Sequence, residues 1–248
     1  MIWIIANDTP ALMMDVMTTD DLARVLSASQ LLRGVDPTIV GRMAKEAQRY
    51  TVPRGERVWQ AGNVAAWSTV VVTGLVKIVR AGPDGSESTV AIFGPRESIG
   101  DMAVVSGRPY PADAIVITPS ADLVRVPVAI ARTLMAEHPA LAAAYTASVV
   151  EHTQALHEKI RIMSAGTTDK RLATLLLYLA RRFGDETEDG SIFVPIVLSR
   201  GECARLIGTA VETTIRTFTK WEREGIVETT PDGFALHDAA RLEDVTVG

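Results

Sequence analysis

The stretch from Gly208 to Gly225, GTAVETTIRTFTKWEREG, combines helical spacing of apolar residues with a pair of charged side chains. Glu212 and Arg216 lie four residues apart, which places both on one exposed face of a helix. Arginine suits guanine and glutamate suits the cytosine amino group, so this pair could read base edges in a DNA groove. The alternative is a surface ion pair worth about a few tenths of a kcal/mol. The opposite, inward face is predicted to carry Ile215, Phe218 and Trp221.

The segments around this helix predict the elements that would position it. Thr167 or Thr168 would cap a helix reading DKRLATLLLYLARRFG, and Ser199 would open a second helix reading RGECARLIG. After the charged helix, residues 226–227 and 234–236 flank the turn TTPDG and predict a β-hairpin. Helix, short turn, helix and hairpin are together typical of a winged helix-turn-helix.

The first half of the chain shows a different pattern. A short helix is expected to open at Thr19, and another to span Pro37 to Gln48. From Thr51 to Pro127, short β-branched runs alternate with Gly, Pro and Asp turns, which predicts a compact antiparallel β-barrel or jelly roll. The Pro83-Asp84-Gly85 sequence is a local hairpin signal within it.

A long helix is predicted to connect the two halves. Pro139 suits its first turn and Gly166 its end, giving a length of about 39 Å at 1.5 Å per residue. Its narrow apolar seam favours a coiled-coil contact with the same helix of a second subunit, although packing on its own barrel is the alternative. Ala165-Gly166-Thr167 is the predicted hinge. The seam consists of Tyr145, Val149, Leu156, Ile160 and Met163.

Composition narrows the class of protein. The chain has 248 residues, enough for one large or two modest domains, and its net charge of −5 argues mildly against nucleic acid unless basic residues cluster locally. One cysteine excludes an internal disulfide and fits a reducing, cytoplasmic setting. The apolar start MIWII is short and lacks a basic region, so neither a signal peptide nor a membrane span is expected.

In its order of elements the chain resembles the CRP/FNR family of bacterial transcription regulators from about Leu32 onward. The segment GNVAAWSTVVVTGLVKIVRAGPDGSE resembles the β-barrel core of that family. The segments RLATLLLYLARRFG and LSRGECARLIGTAVETTIRTFTKWEREGIV resemble the DNA-binding domain of the FNR branch. The order of barrel, long helix and winged helix makes the resemblance specific, whereas a helix-turn-helix alone would not.

The resemblance implies an α+β fold with four parts. Residues 1–29 would form an N-terminal extension and residues 30–137 a cyclic-nucleotide-binding-like β-barrel, or jelly roll. Residues 138–166 would form the dimerisation helix and hinge, and residues 167–248 a winged helix-turn-helix domain. The implied protein is a homodimer whose two recognition helices enter successive major grooves of a two-fold symmetric site. RNA polymerase is a further expected partner.

The recognition motif of the FNR branch, Val-Glu-x-x-Ser-Arg, corresponds here to residues 211–216. The resemblance implies a half-site similar to TTGA, with Glu212 and Arg216 as base readers. Ile215 replaces the family serine, and Ala210 replaces the usual capping residue, so Thr209 could cap the helix and occupy Glu212 in a capping box. The predicted DNA contacts are Val211, Glu212, Ile215, Arg216, Arg200 and Lys220.

The barrel of this family often binds cyclic AMP. Relatives that do so carry Gly-Glu, a short helical segment and Arg-Ser, whereas this chain has Gly100-Asp101 and, by position, Pro111-Ala112. Loss of the phosphate-binding arginine removes a charge-assisted contact of about 1.5–3 kcal/mol, so no useful cyclic AMP binding is expected. The remaining pocket candidates, two of them from a gapless count along the long helix, are Gly100, Asp101, Arg108, Leu156 and His157.

The effector, if there is one, stays unidentified at this point. His157 could ligate haem or could be a solvated helix residue. The cysteine-bound iron–sulfur cluster of FNR is excluded because the N-terminal cysteines are missing. Cys203 is interpreted as a buried core residue, with a redox switch as the alternative. No role is assigned to His138, His152 and His237.

These patterns favour a sequence-specific DNA-binding regulator over two other hypotheses. One alternative is a regulator of the same family that does bind a cyclic nucleotide, through Asp101 and Arg108. The other is a ligand-binding interaction module that no longer binds DNA. The negative net charge of the chain would favour this hypothesis. An enzyme is not expected, because the sequence shows no Ser/His/Asp set, P-loop, metal-ligand spacing or dinucleotide fingerprint.

Overall fold

The computed structural model describes residues 17–82 and 87–247, and for residues 154–156, 158 and 159 the backbone alone. The predicted Asp84-Gly85 turn and the apolar start lie outside the described residues. The described chain forms facing β-sheets flanked by helices, then one long helix, then a helical unit with a small sheet. This α+β order is the one that the sequence predicts.

Two capped helices open the described chain. Helix α1 (Thr19–Ala28) is capped by Thr18, and α2 (Pro37–Lys45) is capped by Asp36. The second helix ends three residues before the predicted Gln48, because Gln48 begins a strand and pairs with Arg125. Both helices share a hydrophobic cluster with the sheet that follows, so residues 19–28 pack on the jelly roll.

Two four-stranded antiparallel sheets face each other to form the jelly roll. Their inward side chains, among them Val71 and Leu123 from one sheet and Val76 and Val116 from the other, make one apolar cluster. The first sheet contains β1 (Gln48–Pro53), β3 (Trp67–Thr73), β6 (Ser98–Ile99) and β8 (Ser120–Pro127). The second contains β2 (Arg57–Trp59), β4 (Val76–Ala81), β5 (Glu87–Phe93) and β7 (Asp113–Val116).

Three helices complete this half of the molecule. Helix α3 (Asp101–Ser106) lies within the jelly roll sequence, and α4 (Val128–Glu137) follows the last strand and was not predicted. The long helix α5 (Pro139–Met163) has Pro139 at its first position and ends before Gly166, as predicted. A Cβ atom on Gly74 would lie 2.4 Å from the carbonyl oxygen of Ser120, so only glycine fits that turn.

The C-terminal unit has the predicted winged helix-turn-helix. Helix α6 (Thr168–Phe183) is capped by Thr167, and α7 (Arg200–Ile207) opens with a capping box between Ser199 and Glu202. The unit continues with α8 (Val211–Arg223) and α9 (Ala239–Val247). Its sheet contains β9 (Asp185–Glu186), β10 (Ile192–Val194), β11 (Val227–Thr230) and β12 (Gly233–Leu236), of which the last two form the wing.

The two halves touch directly as well as through α5. Lys77 of the jelly roll pairs with Glu202 of α7 at 2.6 Å, and Glu97 pairs with Arg182 of α6 at the same distance. Burial alone would raise the pKa of Glu202, but Lys77 and the Ser199 backbone hold it below its usual value. Three jelly roll residues join the hydrophobic cluster of the C-terminal unit: Leu75, Ile92 and Ile117.

Candidate nucleic-acid interface and ligand cavity

Helix α8 turns one face into the protein and leaves the other in solvent. Thr214, Phe218 and Trp221 are buried, and they fix how the helix lies on α6 and α7. Ile215 is 46% exposed, so its predicted place on the inward face is wrong, and Thr214 takes it. The exposed face carries Val211, Glu212, Ile215, Arg216 and Lys220.

The two predicted base readers keep their polar atoms on this exposed face. Ala210 is the N-cap of α8 and makes no side-chain cap hydrogen bond, so the capping box considered for Glu212 does not form. The Thr209 hydroxyl lies 3.2 Å from that of Thr168 instead. Arg216 donates a hydrogen bond to the Thr213 hydroxyl at 3.3 Å, which aligns the guanidinium along the helix. The carboxylate and the guanidinium are therefore both presented to solvent.

Arg200 contacts three neighbouring side chains. Its guanidinium donates to the Glu222 carboxylate at 2.8 Å and to the Thr229 hydroxyl at 2.7 Å, and it stacks over the Phe218 ring at 3.6 Å. These contacts join α7, α8 and the wing. The guanidinium therefore helps to position the recognition helix, and its predicted contact with DNA stays a prediction.

Lys220 stays largely in solvent. Its ammonium lies 3.6 Å from the Asp169 carboxylate, and 56% of its side chain is exposed. A pair so long and so exposed contributes little stability. The ammonium can therefore exchange Asp169 for a phosphate oxygen at low cost.

A cavity of about 240 Å³ lies between the jelly roll and α5. Gly100, Pro111 and Ala112 line it, so the segments that would hold a cyclic nucleotide in the resemblance do meet there. Helix α5 contributes His152 and Thr153, one turn before the predicted positions Leu156 and His157. The gapless count along the helix therefore misplaced His157, whereas Leu156 is not tested, because its side chain lies outside the described residues.

Asp101 lies outside the lining of this cavity. The residue is fully buried, and its carboxylate accepts hydrogen bonds from the hydroxyls of Ser98, of Ser148 at 2.6 Å and of Ser68 at 3.2 Å. The Tyr145 hydroxyl donates to Ser68 at 3.2 Å and extends the network. The acid therefore fastens α3, two strands and α5 together, and its predicted place as a ligand contact is corrected.

Two further pocket candidates also fall outside the cavity. Arg108 and His157 are exposed, and neither is among the lining residues. An axial haem ligand must face the cavity that holds the porphyrin, so His157 does not fit that role. The side chain of Leu156 lies outside the described residues.

The predicted seam of α5 is only partly available to a second subunit. Tyr145 is fully buried against the jelly roll, and Val149 is half-buried. Ile160 and Met163 are 61% and 41% exposed. The exposed residues at heptad spacing are Val150, Thr153, His157 and Ile160, which shifts the free face of the helix relative to the prediction.

Cys203 is a core residue of the helix-turn-helix. The side chain is 2% exposed, and burial raises the pKa of the thiol to about 12. Oxidation proceeds through the thiolate, which this environment disfavours strongly at neutral pH. The buried-core interpretation therefore fits the structure better than a redox switch.

The wing brings together a serine, a histidine and a glutamate that the sequence had not connected. The Ser191 hydroxyl lies 2.9 Å from Nδ1 of His237, and the Glu228 carboxylate lies 3.0 Å from Nε2. Such an order can activate a nucleophile, but Ser191 is 5% exposed and closed to a substrate. The contacts fasten the wing to its neighbouring strand.

Two protein-family models match the chain, one in each half. Residues 49–138 match the model of the cyclic nucleotide-binding domain, and residues 170–245 match the Crp-like helix-turn-helix domain. The chain belongs to the CRP/FNR family. Proteins of this family are DNA-binding transcription regulators, and the relatives that match are named as regulators rather than enzymes.

Relatives within the CRP/FNR family come from both of its branches. A CRP-like cAMP-activated global transcriptional regulator of Mycobacterium tuberculosis is 25% identical over 88% of this chain and 96% of its own. The nitrogen fixation regulation protein FixK of Azorhizobium caulinodans is 28% identical over 80% of each chain. The fold matches that of FixK2 from Bradyrhizobium japonicum, with a TM-score of 0.69, 20% identity, and coverage of 82% of this chain and 98% of that one.

The features of this CRP/FNR protein that sequence reasoning missed are the walls of the cavity. Trp59 and Tyr110 stack with ring centroids 4.3 Å apart, and Phe93 meets His152 edge to face at 4.8 Å. Aromatic residues make up only 5% of the chain, so each of them could have been considered a candidate for a binding site.

Among the described residues, no helix is both long enough and apolar enough to cross a membrane.

Proposed function

We propose that the protein is a homodimeric regulator that reads a palindromic DNA site with TTGA-type half-sites. The observation that carries this proposal is the exposed face of α8, where Glu212 and Arg216 are both available to base edges. Arginine pairs with guanine O6 and N7, and glutamate accepts from the cytosine amino group. Val211 and Ile215, both more than 40% exposed, supply apolar surface for thymine methyl groups.

Backbone contacts and RNA polymerase complete the proposed assembly. Lys220 is placed on the same exposed side of α8 as the base readers and would contact a phosphate. Arg200 would act through the helix and wing that it holds together. RNA polymerase is the expected protein partner, as in other regulators of transcription.

Dimerisation is proposed to use the exposed heptad face of α5. Replacing Ile160 with glutamate should convert the dimer into a monomer, because the charge would be buried against the partner helix without a counter-ion. Sedimentation velocity would measure the change. The matched control is Val64→Glu, at a residue 82% exposed in a jelly roll loop, which should leave the dimer intact. A dimer that survives Ile160→Glu would overturn this interface.

Cyclic AMP is not the proposed effector, although some relatives are named as cAMP-activated. Where such a ligand would need a cation for its phosphate, this cavity presents Pro111 and Ala112. The acid that would hold the ribose, Asp101, is committed to three serine hydroxyls. A cyclic nucleotide would therefore lack both of these contacts, and the one guanidinium in the described lining, Arg80, is exposed to solvent.

The experiment that tests the proposed function is a titration of ligand-free protein. A labelled duplex carrying TTGAT-N4-ATCAA and a scrambled duplex of equal length would be compared at near-physiological salt. Selective binding of the first is expected. Equal binding of both duplexes would reject TTGA-type readout, and a flat, salt-independent titration would favour an interaction module without a DNA function.

A further inference from the structure

The cavity between the jelly roll and α5 presents mainly uncharged side chains. Its walls are largely aromatic and aliphatic, and the aromatic lining residues include Trp59, Tyr110 and Phe93. Arg80 is the one guanidinium in the described lining, and that residue is exposed to solvent. A buried charge on a ligand would therefore find little compensation inside the cavity.

The polar atoms of the walls are already engaged within the protein. The indole N–H of Trp59 donates to the carbonyl of Ala112 at 3.0 Å, and the Tyr110 hydroxyl donates to the carbonyl of Trp67 at 2.6 Å. The Thr153 hydroxyl donates at 2.6 Å to a carbonyl of its own helix. What these three residues present to a ligand is ring faces and a methyl group, and the His152 imidazole and the exposed Arg80 guanidinium are the other polar side-chain groups in the described lining.

We propose that this cavity binds a small, uncharged aromatic molecule of one or two rings. An apolar cavity of about 150 Å³ can hold benzene, so the cavity of about 240 Å³ has room for a second ring. The stacked Trp59 and Tyr110 rings offer a wall for an aromatic face. Mostly apolar walls with few convergent polar groups are typical of small-molecule sites.

Occupancy of the cavity has a short route to the DNA-binding unit. Phe93 and His152 line this cavity and also a polar cavity of about 640 Å³ on their other side. The Glu97–Arg182 ion pair that joins the jelly roll to α6 lines that second cavity. A ligand that displaces the Phe93–His152 wall would thus act on a contact between the two halves. This regulatory step rests on the proposed DNA-binding function.

Calorimetry with two ligands of matched size tests the site without DNA. The uncharged 2-naphthol should bind the wild-type protein about tenfold or more tightly than the anion 2-naphthoate, because a carboxylate would be buried without a partner. Cyclic AMP should bind more weakly than 2-naphthol. Failure of 2-naphthol to bind, or tighter binding of either anion, would overturn the proposal.

Variants that fill the cavity locate the binding. Ala91→Leu adds carbon atoms at a lining residue and should abolish 2-naphthol binding, whereas Ala129→Leu, at an exposed alanine of α4, should not. If a melting curve shows that Ala91→Leu does not fold, Val90→Phe replaces it at the adjacent lining position. Unchanged binding by a folded variant would place the ligand elsewhere and reject the site.

The regulatory step is measured separately. Saturating 2-naphthol should change the affinity of the protein for the TTGAT-N4-ATCAA duplex by about fivefold or more, as coupled sites do. Binding of 2-naphthol with unchanged DNA affinity would reject the regulatory step and leave the ligand site standing. If the ligand-free protein shows no DNA selectivity, the proposed function is rejected. Calorimetry still tests in that case whether the cavity binds 2-naphthol.

Discussion

Replacing Arg216 with alanine should remove the preference of the protein for guanine in the half-site. The guanidinium is exposed on α8 and is the group expected to bind guanine O6 and N7. The variant should lose about 1–3 kcal/mol of binding free energy on the matched duplex and almost none on a duplex substituted at that guanine. Fluorescence anisotropy with both duplexes would measure the difference.

Lys220→Ala is the matched control for this experiment. Its ammonium should contact a phosphate, so its removal should weaken binding to both duplexes alike and reduce the salt dependence of binding. Neither residue is buried, so both variants should keep the stability of the wild-type protein. If Arg216→Ala instead weakened binding equally on both duplexes, the arginine would be a phosphate contact and the half-site assignment would fail.

Replacing Asp101 with alanine should destabilise the protein strongly. The carboxylate is fully buried and accepts hydrogen bonds from three serine hydroxyls that lie on β3, β6 and α5. Without it these hydroxyls lose their shared acceptor, and we expect a loss of about 3 kcal/mol in the free energy of unfolding. Urea denaturation followed by circular dichroism would measure this change.

Two controls separate the network from a general effect of substitution. Asp101→Asn keeps an acceptor oxygen in place and should lose less stability than the alanine variant. Asp232→Ala removes an exposed carboxylate from the turn of the wing and should change stability very little. A wild-type-like midpoint for Asp101→Ala would show that the serines find other partners. The proposed role of Asp101 in holding these elements together would then be wrong.

The features that local chemistry specifies could be predicted from the sequence. Ser199 with Glu202 defines a capping box, and Pro139 starts a helix because its missing N–H costs nothing there. The TTPDG turn of the wing could be predicted because Pro, Asp and Gly favour turns. These signals lie within a few residues of one another, so no tertiary information is needed to use them.

Features that depend on packing between distant segments could not be predicted in this way. Tyr145 has the spacing of a dimer seam, but its burial depends on the jelly roll beneath it and on Ser68. Asp101 resembles a ligand contact until three serines from separate elements surround it. Ile215 is apolar yet exposed, because Thr214 occupies the inward position on α8. In each case the deciding neighbour is far away in sequence.

The contact between the two halves bears on how the molecule unfolds. Leu75, Ile92 and Ile117 of the jelly roll are part of the same apolar cluster as the core of the C-terminal unit, and two ion pairs join the halves beside it. Opening either half therefore exposes surface that the other had covered. The two halves should therefore unfold in one cooperative transition, and a change that destabilises one half should lower the unfolding midpoint of both.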